Sequence, residues 1–332
     1  MKAMVLVEPE KIELREIEMP IPGAGEVLIR ISHAGICGTD TKIFGGVIPS
    51  ATPLIIGHEI HGEIVGGRRG GQRVLVDPVL HCDKCYYCKK GQTNLCANGA
   101  LMGREINGGF AEYCVAPDSY VYTLPDSIES IEAPAIQVLT TVVHAFDQSQ
   151  IQPGDSVVIL GLGVTGLMQV QVARAMGADP VVGVSRNSFK RGLAEKLGAD
   201  LSVNHGDEAK EAVLSVTGGL GADVVIESVG HLSVLAEAID IARHGACIVP
   251  FGIYGSGSAE LPFYDFYFKE LKLINARAAL AQDFPKSIDM VQSGAVDLAS
   301  LITHRLPVSE LGDAIKMLIE PSDRRLKIIL ET

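Results

Sequence analysis

The chain has 332 residues, 47% of them hydrophobic, and a formal net charge of −12. This length allows two domains with substantial cores, and the negative charge argues against nucleic acid or an anionic membrane as a partner. The longest apolar runs are too short to cross a bilayer and no secretory signal is recognisable, so we expect a cytoplasmic protein.

The first part of the chain, up to about Pro134, has the pattern of an antiparallel β domain with long loops. Short β-branched runs there are separated by glycine and proline, which is typical of strands joined by turns. We expect strands at residues 27–31, 63–65, 73–76 and 111–115.

From about Gly154 the pattern changes to short apolar runs that alternate with amphipathic stretches of helical length. This alternation predicts βαβ units and a parallel sheet. The predicted strands are 156–160, 181–184, 201–204, 224–227, 247–251 and 271–274, and the predicted helices are 166–176, 189–197, 207–217 and 232–243. Helices 284–293 and 309–319 and a last strand, 326–330, follow, and we expect this tail to rejoin the first domain.

Four of the seven cysteines, Cys82, Cys85, Cys88 and Cys96, fall in one loop-like stretch. Their spacing is typical of a closed structural zinc site, in which four thiolates fill the tetrahedral coordination of the ion. Such a site stabilises the local structure and leaves no coordination position on the zinc for a substrate. Cys114 and Cys247 lie in apolar strands, where we expect them to be buried.

A glycine-rich loop, Gly161-Leu162-Gly163-Val164-Thr165-Gly166, stands between the first strand and first helix of the α/β half. In this position the glycines let a pyrophosphate approach the backbone at a helix N-terminus, so the loop predicts a dinucleotide site. An acidic residue that would bind the ribose 2′-hydroxyl of NAD is missing from the end of the second strand, which has Ser185 and Arg186 instead. A hydroxyl and an arginine suit a 2′-phosphate, so NADP(H) is favoured over NAD(H).

Cys37, His58 and Glu59 lie on glycine-flanked loops upstream of the four cysteines. A thiolate, an imidazole and a carboxylate are candidate ligands of an open, catalytic zinc. Taken alone these residues are only suggestive, since a single Cys and His are commonly core residues.

Together, these motifs resemble the zinc-containing medium-chain dehydrogenase/reductase superfamily, in its alcohol, polyol and sugar dehydrogenase group. The resemblance covers essentially the whole chain and rests on motifs in family order: 35–40, 57–59, the Cys82 to Cys96 lobe, 108–113 and 161–166. It implies an α/β protein with a GroES-like catalytic domain (1–137 and 276–332, with a zinc lobe at 80–98), a Rossmann cofactor domain (138–275), and an active site in the cleft between them.

The resemblance also implies roles for particular residues. Cys37, His58 and Glu59 are then catalytic-zinc ligands, Asp40 orients the imidazole, and Gln137 takes the fourth position, directly or through water. Thr39 resembles the relay hydroxyl that takes up the substrate proton, whereas Lys42 stands where relatives have a relay histidine and either contacts the ribose or lies in solvent. Thr141 and Phe251-Gly252-Ile253 are further cofactor contacts, and Lys327 faces the pyrophosphate or lies on the surface.

The sequence therefore predicts a dehydrogenase with two zinc ions per chain that exchanges a hydride between NADP(H) and a secondary alcohol, polyol or sugar hydroxyl. The resemblance implies a homodimer or homotetramer. Three alternatives stay open: an aldose 1-dehydrogenase, a zinc-independent quinone or enone reductase, and a binding protein that has lost the chemistry. The zinc motifs count against the second, and only Gln137 hints at the third.

Overall fold

The computed structural model describes residues 1–255 and 258–332. They form two compact units. Unit 1 comprises Met1–Thr140, Ala278–Gln292 and Leu298–Thr332, and unit 2 comprises Thr141–Arg277 and Ser293–Asp297. Within the described ranges, no helix is long and apolar enough to span a membrane.

The bounds of the regular elements are as follows. The strands are β1 (Lys2–Glu8), β2 (Lys11–Glu16), β3 (Glu26–Gly35), β4 (Leu54–Ile55), β5 (Glu59–Ile64), β6 (Arg73–Val76), β7 (Val79–Leu80), β8 (Ala100–Leu101), β9 (Tyr113–Pro117), β10 (Val121–Thr123), β11 (Val157–Leu160), β12 (Val181–Val184), β13 (Leu201–Val203), β14 (Ala222–Glu227), β15 (Ala242–Pro250), β16 (Lys272–Leu273), β17 (Ile302–Pro307) and β18 (Lys327–Glu331). The helices are α1 (Gly38–Phe44), α2 (Tyr86–Lys89), α3 (Ala133–Ser149), α4 (Val164–Ala175), α5 (Ser188–Lys196), α6 (Asp207–Val216), α7 (Leu232–Ile241), α8 (Phe263–Phe268), α9 (Asp283–Gln292) and α10 (Leu311–Ile319).

Unit 1 is built on a mainly antiparallel sheet in the order β10-β6-β5-β3-β18-β17, and β9 also pairs with β3. A separate small sheet has the order β2-β1-β4. The long strand β3 pairs with β5, β9 and β18, and only β17 and β18 run parallel. The apolar core includes Ile29, Ile60, Val74 and Phe110, each 0% exposed. The central position of β18 brings the last part of the chain next to β3 and the loop that follows it.

Unit 2 is built on a six-stranded parallel sheet in the order β13-β12-β11-β14-β15-β16. All residues of β11 and β12 are buried, which explains their continuous apolar sequences, since a parallel sheet is covered on both faces. The chain order reverses between β11 and β14, so the sheet has the arrangement 3-2-1-4-5-6 of a dinucleotide-binding fold. The predicted α/β architecture, with a β-rich part and a Rossmann sheet, is therefore confirmed.

Most predicted elements are confirmed, with some differences at their ends. The helix predicted at 232–243 ends at Ile241, because β15 already begins at Ala242. The sequence reading missed α3, whose 17 residues are apolar on nearly all sides and therefore lack the two-sided pattern of a surface helix. It also missed β17, whose ITHRLP sequence is too polar to resemble a buried strand.

Candidate metal centres and cofactor site

The four cysteines at 82–96 come together in unit 1. One ligand atom from each of Cys82, Cys85, Cys88 and Cys96 lies within 4.8 Å of all the others. The Sγ atom of Cys85 lies 3.5 Å from that of Cys88 and 3.8 Å from that of Cys96. Tetrahedral Zn²⁺ with Zn–S bonds of about 2.3 Å requires sulfur–sulfur distances of about 3.8 Å, so the four thiols fit the ion. The cysteines are free rather than joined as disulfides.

The backbone of this lobe is arranged to stabilise thiolates. Backbone N–H groups of Lys84 and Cys85 lower the pKa of Cys82 to about 6. The N–H of Cys82 in turn donates to Cys96 Sγ at 3.3 Å. Because zinc binds the deprotonated sulfur, donors aimed at the sulfurs favour the metal-bound form.

A second cluster in unit 1 consists of Cys37, His58 and Glu59, whose ligand atoms also lie within 4.8 Å of one another. Cys37 immediately precedes α1, and His58 and Glu59 stand at the start of β5. His58 is 6% exposed and Glu59 is fully buried. A buried thiol, imidazole and carboxylate at this spacing fit Zn²⁺, whose catalytic sites keep three protein ligands and one open position.

Asp40 joins the two halves of this cluster. Its Oδ2 accepts a hydrogen bond of 2.8 Å from the backbone N–H of Cys37, and its Oδ1 lies 3.1 Å from His58 Nδ1. With Nδ1 held by Asp40, the Nε2 atom of His58 is the ring nitrogen left for a metal. Burial opposes ionisation of Cys37, but the hydrogen bond with His58 and the charge of that imidazole together outweigh burial and lower the pKa of the thiol.

Lys327 lies at this cluster, and the sequence-based expectation for it was wrong. It is neither a surface residue nor open to a pyrophosphate, since it is only 4% exposed. Its Nζ donates to Glu59 Oε1 at 2.6 Å and to the carbonyl of Ile36 at 3.0 Å. The buried position is a consequence of β18 being a central strand, because Lys327 opens β18 and Gly35, at the end of β3, pairs with Ile329.

Gly35 makes room for this ion pair. It pairs with Glu59 across β3 and β5, and a Cβ atom at Gly35 would stand 1.9 Å from Glu59 Oε2 and 3.1 Å from Lys327 Cε. Any side chain at residue 35 would therefore displace the carboxylate. A lysine in an otherwise apolar strand, 326–330, was the signal in the sequence that could have indicated a buried partner.

The remaining residues assigned to the catalytic site lie near these elements in the chain. Thr39 and Lys42 are half-buried on α1. Gln137 is 8% exposed in the first turns of α3. Its part in binding a metal stays a prediction, as do the proton-relay roles of Thr39 and Lys42.

The glycine-rich loop in unit 2 has the geometry of a phosphate-binding turn. Gly161 directly follows β11 and has a φ of +101°, a conformation that favours glycine. A Cβ at Gly166 would lie 1.9 Å from the carbonyl oxygen of Gly161, so α4 packs directly on the loop. No described atom lies within 4 Å of a Cβ built at Gly163, the residue that precedes α4. This open space at a helix N-terminus fits a pyrophosphate. The Leu162 side chain is buried, which leaves only its backbone for a ligand.

The segment that follows β12 contains two cationic residues besides the predicted Arg186, namely Lys190 and Arg191. Ser185 is half-buried and Arg186 is exposed. Arg191, one turn into α5, donates to the carbonyl of Ser185 at 2.6 Å, and Lys190 stands beside it in the chain. Three cationic residues, Arg186, Lys190 and Arg191, therefore lie within six positions after Ser185 in the chain. Arg191 was not predicted because it lies within α5, beyond the loop in which the 2′-phosphate contacts were expected.

The other residues assigned to the cofactor lie on separate elements of unit 2. Phe251, Gly252 and Ile253 directly follow β15, and Ile253 is 70% exposed. Thr141 is half-buried on α3. Cys114 and Cys247, which were expected in the core, are 5% and 7% exposed, and this expectation is confirmed.

Both parts of the chain match known families. Residues 23–126 match the alcohol dehydrogenase GroES-like domain and residues 164–293 match the zinc-binding dehydrogenase family. L-galactonate-5-dehydrogenase of Escherichia coli (strain K12) is 32% identical over 323 residues, with 94% of each chain covered. Sorbitol dehydrogenase of Halalkalibacterium halodurans is 30% identical, and the match covers 97% of this chain and 100% of that protein.

Solved structures of dehydrogenases are also similar to this chain over its whole length. A Sinorhizobium meliloti 1021 protein described as a zinc-binding dehydrogenase, bound to NADP, and an Escherichia coli CFT073 alcohol dehydrogenase, complexed with NADH, are similar to this chain. Each has a TM-score of 0.93 and 31% identity, covering 100% of this chain and 99% of the other. The chain therefore belongs to the zinc-containing medium-chain dehydrogenase/reductase family. It is an oxidoreductase of the zinc-type alcohol dehydrogenase group within that family.

Proposed function

We propose that the protein is a zinc-dependent dehydrogenase that interconverts a secondary hydroxyl of an alcohol, polyol or sugar with the corresponding carbonyl, using NADP(H). The observation that carries the proposal is the Cys37, His58 and Glu59 cluster, with ligand atoms within 4.8 Å of one another. The relatives that are named for oxidation of sorbitol and of L-galactonate support a polyhydroxylated substrate.

In the proposed active site, Cys37, His58 and Glu59 hold the catalytic zinc, and Gln137 completes the set directly or through water. When bound there, Zn²⁺ lowers the pKa of a coordinated hydroxyl. Asp40 fixes the tautomer and orientation of His58 through its contact of 3.1 Å with Nδ1. The Thr39 hydroxyl accepts the proton that leaves the substrate and passes its own proton on toward solvent, and the half-buried Lys42 lies three residues further along α1.

The proposed cofactor site is formed by unit 2. Backbone N–H groups of residues 161–166 bind the pyrophosphate at the N-terminus of α4. Ser185 and Arg186 bind the 2′-phosphate of NADP(H), and Arg191 and Lys190 add positive charge next to them. Thr141 and residues 251–253 contact the nicotinamide half. The solved relatives contain NADP in one case and NADH in the other, so the preference for NADP(H) is argued from the residues of this chain.

The proposal extends to the organisation of the chain. Residues 1–137 and 276–332 form the catalytic domain, with a second, structural zinc in the lobe at 80–98, and residues 138–275 form the cofactor domain. We also propose a homodimer or homotetramer. Its support is a set of exposed aromatic side chains on α8, next in sequence to the edge strand β16: Phe263, Tyr264, Tyr267 and Phe268.

The substrate and the coenzyme can be tested together. A panel of secondary alcohols, polyols and aldoses is assayed with NADP⁺ and with NAD⁺, alongside zinc analysis of the purified protein. We expect turnover of polyols with NADP⁺ and two zinc ions per chain. Oxidation of aldoses alone would favour the aldose 1-dehydrogenase alternative, and activity that survives complete zinc removal would contradict the proposal.

Cys37→Ser tests the catalytic zinc directly. We expect turnover to fall by at least about a thousandfold while one zinc per chain is retained in the lobe, because the Cys37 thiolate is a proposed ligand of the catalytic zinc and not of the lobe zinc. Cys114→Ala is the matched control, since Cys114 is a buried cysteine of the same unit outside both clusters. Full activity and two zinc ions in Cys37→Ser would refute the assignment.

A further inference from the structure

Glu227, the last residue of β14, links the two loops that follow β14 and β15. Its carbonyl oxygen accepts hydrogen bonds of 2.8 Å from the N–H groups of both Phe251 and Gly252. Its carboxylate accepts from the N–H groups of Val229 at 2.7 Å and Gly230 at 2.9 Å. The same carboxylate accepts a hydrogen bond of 2.5 Å from the hydroxyl of Tyr254. One residue thus holds both loops.

The Glu227 side chain is fully buried, so its carboxyl oxygens depend on hydrogen bonds from the protein rather than from water. Among the described residues, its hydrogen-bond donors are all uncharged: two backbone N–H groups and one phenol. Burial and the neighbouring carboxylate raise the pKa of Tyr254, which keeps the phenol protonated and able to donate. Without that hydroxyl, the loop after β15 keeps no side-chain tie to Glu227.

The two loops are packed against each other without side chains between them. A Cβ at Gly252 would lie 2.1 Å from the backbone nitrogen of Gly230, and one at Gly230 would lie 2.7 Å from the carbonyl oxygen of Ile253. A Cβ at Gly161, in the phosphate-binding turn, would lie 2.6 Å from Val229 Cγ2. The two loops therefore fit together closely, backbone against backbone, whereas the closest approach to the phosphate-binding turn is made by the side chain of Val229.

These turns leave the carboxyl ends of β11, β14 and β15, which are adjacent in the sheet. Dinucleotides bind outside this edge, at the point where the strand order reverses, which here lies between β11 and β14. The half of the sheet containing β12 serves the adenosine, which leaves the β14 and β15 half for the nicotinamide. Val229 and Ile253, one on each loop, are 55% and 70% exposed. Two exposed apolar side chains at this edge suit the face of a planar ring.

We propose that Tyr254 is a positioning residue, which acts through Glu227 to fix Val229 and Ile253 where the nicotinamide ring binds. The inference rests on the proposed function, because it requires a nicotinamide coenzyme. In this proposal Tyr254 does not contact the coenzyme itself. We expect its effect to fall on the nicotinamide half. The phosphate-binding turn is held by separate hydrogen bonds, from the N–H of Gly161 to the carbonyl of Val184 and from the N–H of Leu167 to the carbonyl of Gly163, both of 2.9 Å. Residues 185–191 likewise have their own hydrogen bonds.

The test compares ligands with and without the nicotinamide ring. Wild type, Tyr254→Phe and Glu227→Gln are titrated with NADPH and NADH, and with the matching ligands that lack the ring, 2′-phospho-ADP-ribose and ADP-ribose. Binding of the reduced coenzymes is followed by their own fluorescence, which is easily read because the chain contains no tryptophan. Tyr86→Phe is the control, because this tyrosine of α2 is 68% exposed and belongs to unit 1.

For Tyr254→Phe we expect the Kd of the preferred coenzyme to rise about fivefold, the effect of one hydrogen bond, and that of its ring-free counterpart to change by less than about twofold. Glu227→Gln should show the same selectivity, and Tyr86→Phe should match the wild type. Equal losses for both kinds of ligand, or no loss at all, would overturn the inference alone. If the wild type bound no coenzyme, the proposed function and the inference would both be wrong.

Discussion

Glu59 and Lys327 form a buried ion pair beside the candidate catalytic zinc site, and each side chain depends on the other to balance its charge. Both side chains are 5% exposed or less. A buried pair contributes little net stability, but removal of one partner leaves an uncompensated charge in a poorly solvated site. Lys327 therefore matters to folding even though nothing places it in contact with substrate.

In the zinc-free protein, Lys327→Met should lower the free energy of unfolding by about 3–5 kcal/mol, because Glu59 then keeps a buried charge without its cation. The measurement is the shift of the urea midpoint. Lys316→Met is the matched control: Lys316 pairs with Asp313 on the surface, with side chains 71% and 76% exposed, and its loss should cost less than about 0.5 kcal/mol. Adding Glu59→Gln to Lys327→Met should restore most of the loss, and a Lys327→Met protein as stable as wild type would contradict the reasoning.

Arg186 is the residue on which the coenzyme preference depends. Arg186→Ala should weaken NADPH binding by about tenfold or more, corresponding to ~1.4 kcal/mol, and change NADH binding by less than about twofold, since only the 2′-phosphate loses a charged partner. Fluorescence titration measures both constants, with the exposed Arg68→Ala as a control. Equal losses for the two coenzymes would show that Arg186 does not recognise the 2′-phosphate.

The residues that could be predicted from the sequence are those whose partners are close in the chain. The four cysteines span 15 positions and the glycine-rich loop spans six, so their spacing already contains the geometry. Glu59 and Lys327 are separated by 268 positions, and only the pairing of β18 with β3 brings them together. The Cys37, His58 and Glu59 set was recognised through family order rather than through spacing.

Among the elements, α4 packs closely against the turn that follows β11, because Gly166 has no side chain. Its close approach to the carbonyl of Gly161 aligns the helix N-terminus with the phosphate-binding turn. This element was predicted because strand, turn and helix follow one another directly. In contrast, α3 was missed because a helix buried on nearly all sides has no polar face to mark its period.

Gly166→Ala should separate α4 from the turn, since the added methyl group would stand 1.9 Å from a backbone oxygen. We expect a loss of about 1–3 kcal/mol in stability and loss of coenzyme binding. Gly192→Ala is the matched control: Gly192 lies exposed in α5 with no atom within 4 Å of the new Cβ, so alanine there should stabilise the protein by about 0.4–1 kcal/mol. Thermal unfolding and NADPH titration measure both effects, and normal binding by Gly166→Ala would contradict this role of the turn.

At the scale of the whole molecule, metal and coenzyme functions are assigned to different units. Both metal-ligand clusters of the described chain lie in unit 1, whereas the phosphate-binding turn and residues 185–186 lie in unit 2. The segment between the cysteines of the lobe has only α2, of four residues, and one short 3-10 turn. Its shape therefore depends on the metal more than on packing.

Cys88→Ser and Cys37→Ser should consequently differ in their effects. Cys88→Ser should remove the lobe zinc and lower stability by several kcal/mol, on the order of what structural zinc contributes. Cys37→Ser should lower it far less, and both variants should still bind NADPH, because the binding residues belong to unit 2. Metal analysis, thermal unfolding and coenzyme titration distinguish the two, and equal destabilisation would argue against a structural role of the lobe.

The position of Lys327 in β18 also sets an order of events during synthesis. The lobe can bind zinc as soon as its short segment leaves the ribosome. The pocket of Cys37, His58 and Glu59 cannot close until Lys327, 268 residues after Glu59, has been added. At about 5–20 residues per second, this interval is on the order of half a minute. During that time Glu59 lacks its lysine partner, so we expect the proposed catalytic metal to be held stably only after β18 has paired with β3.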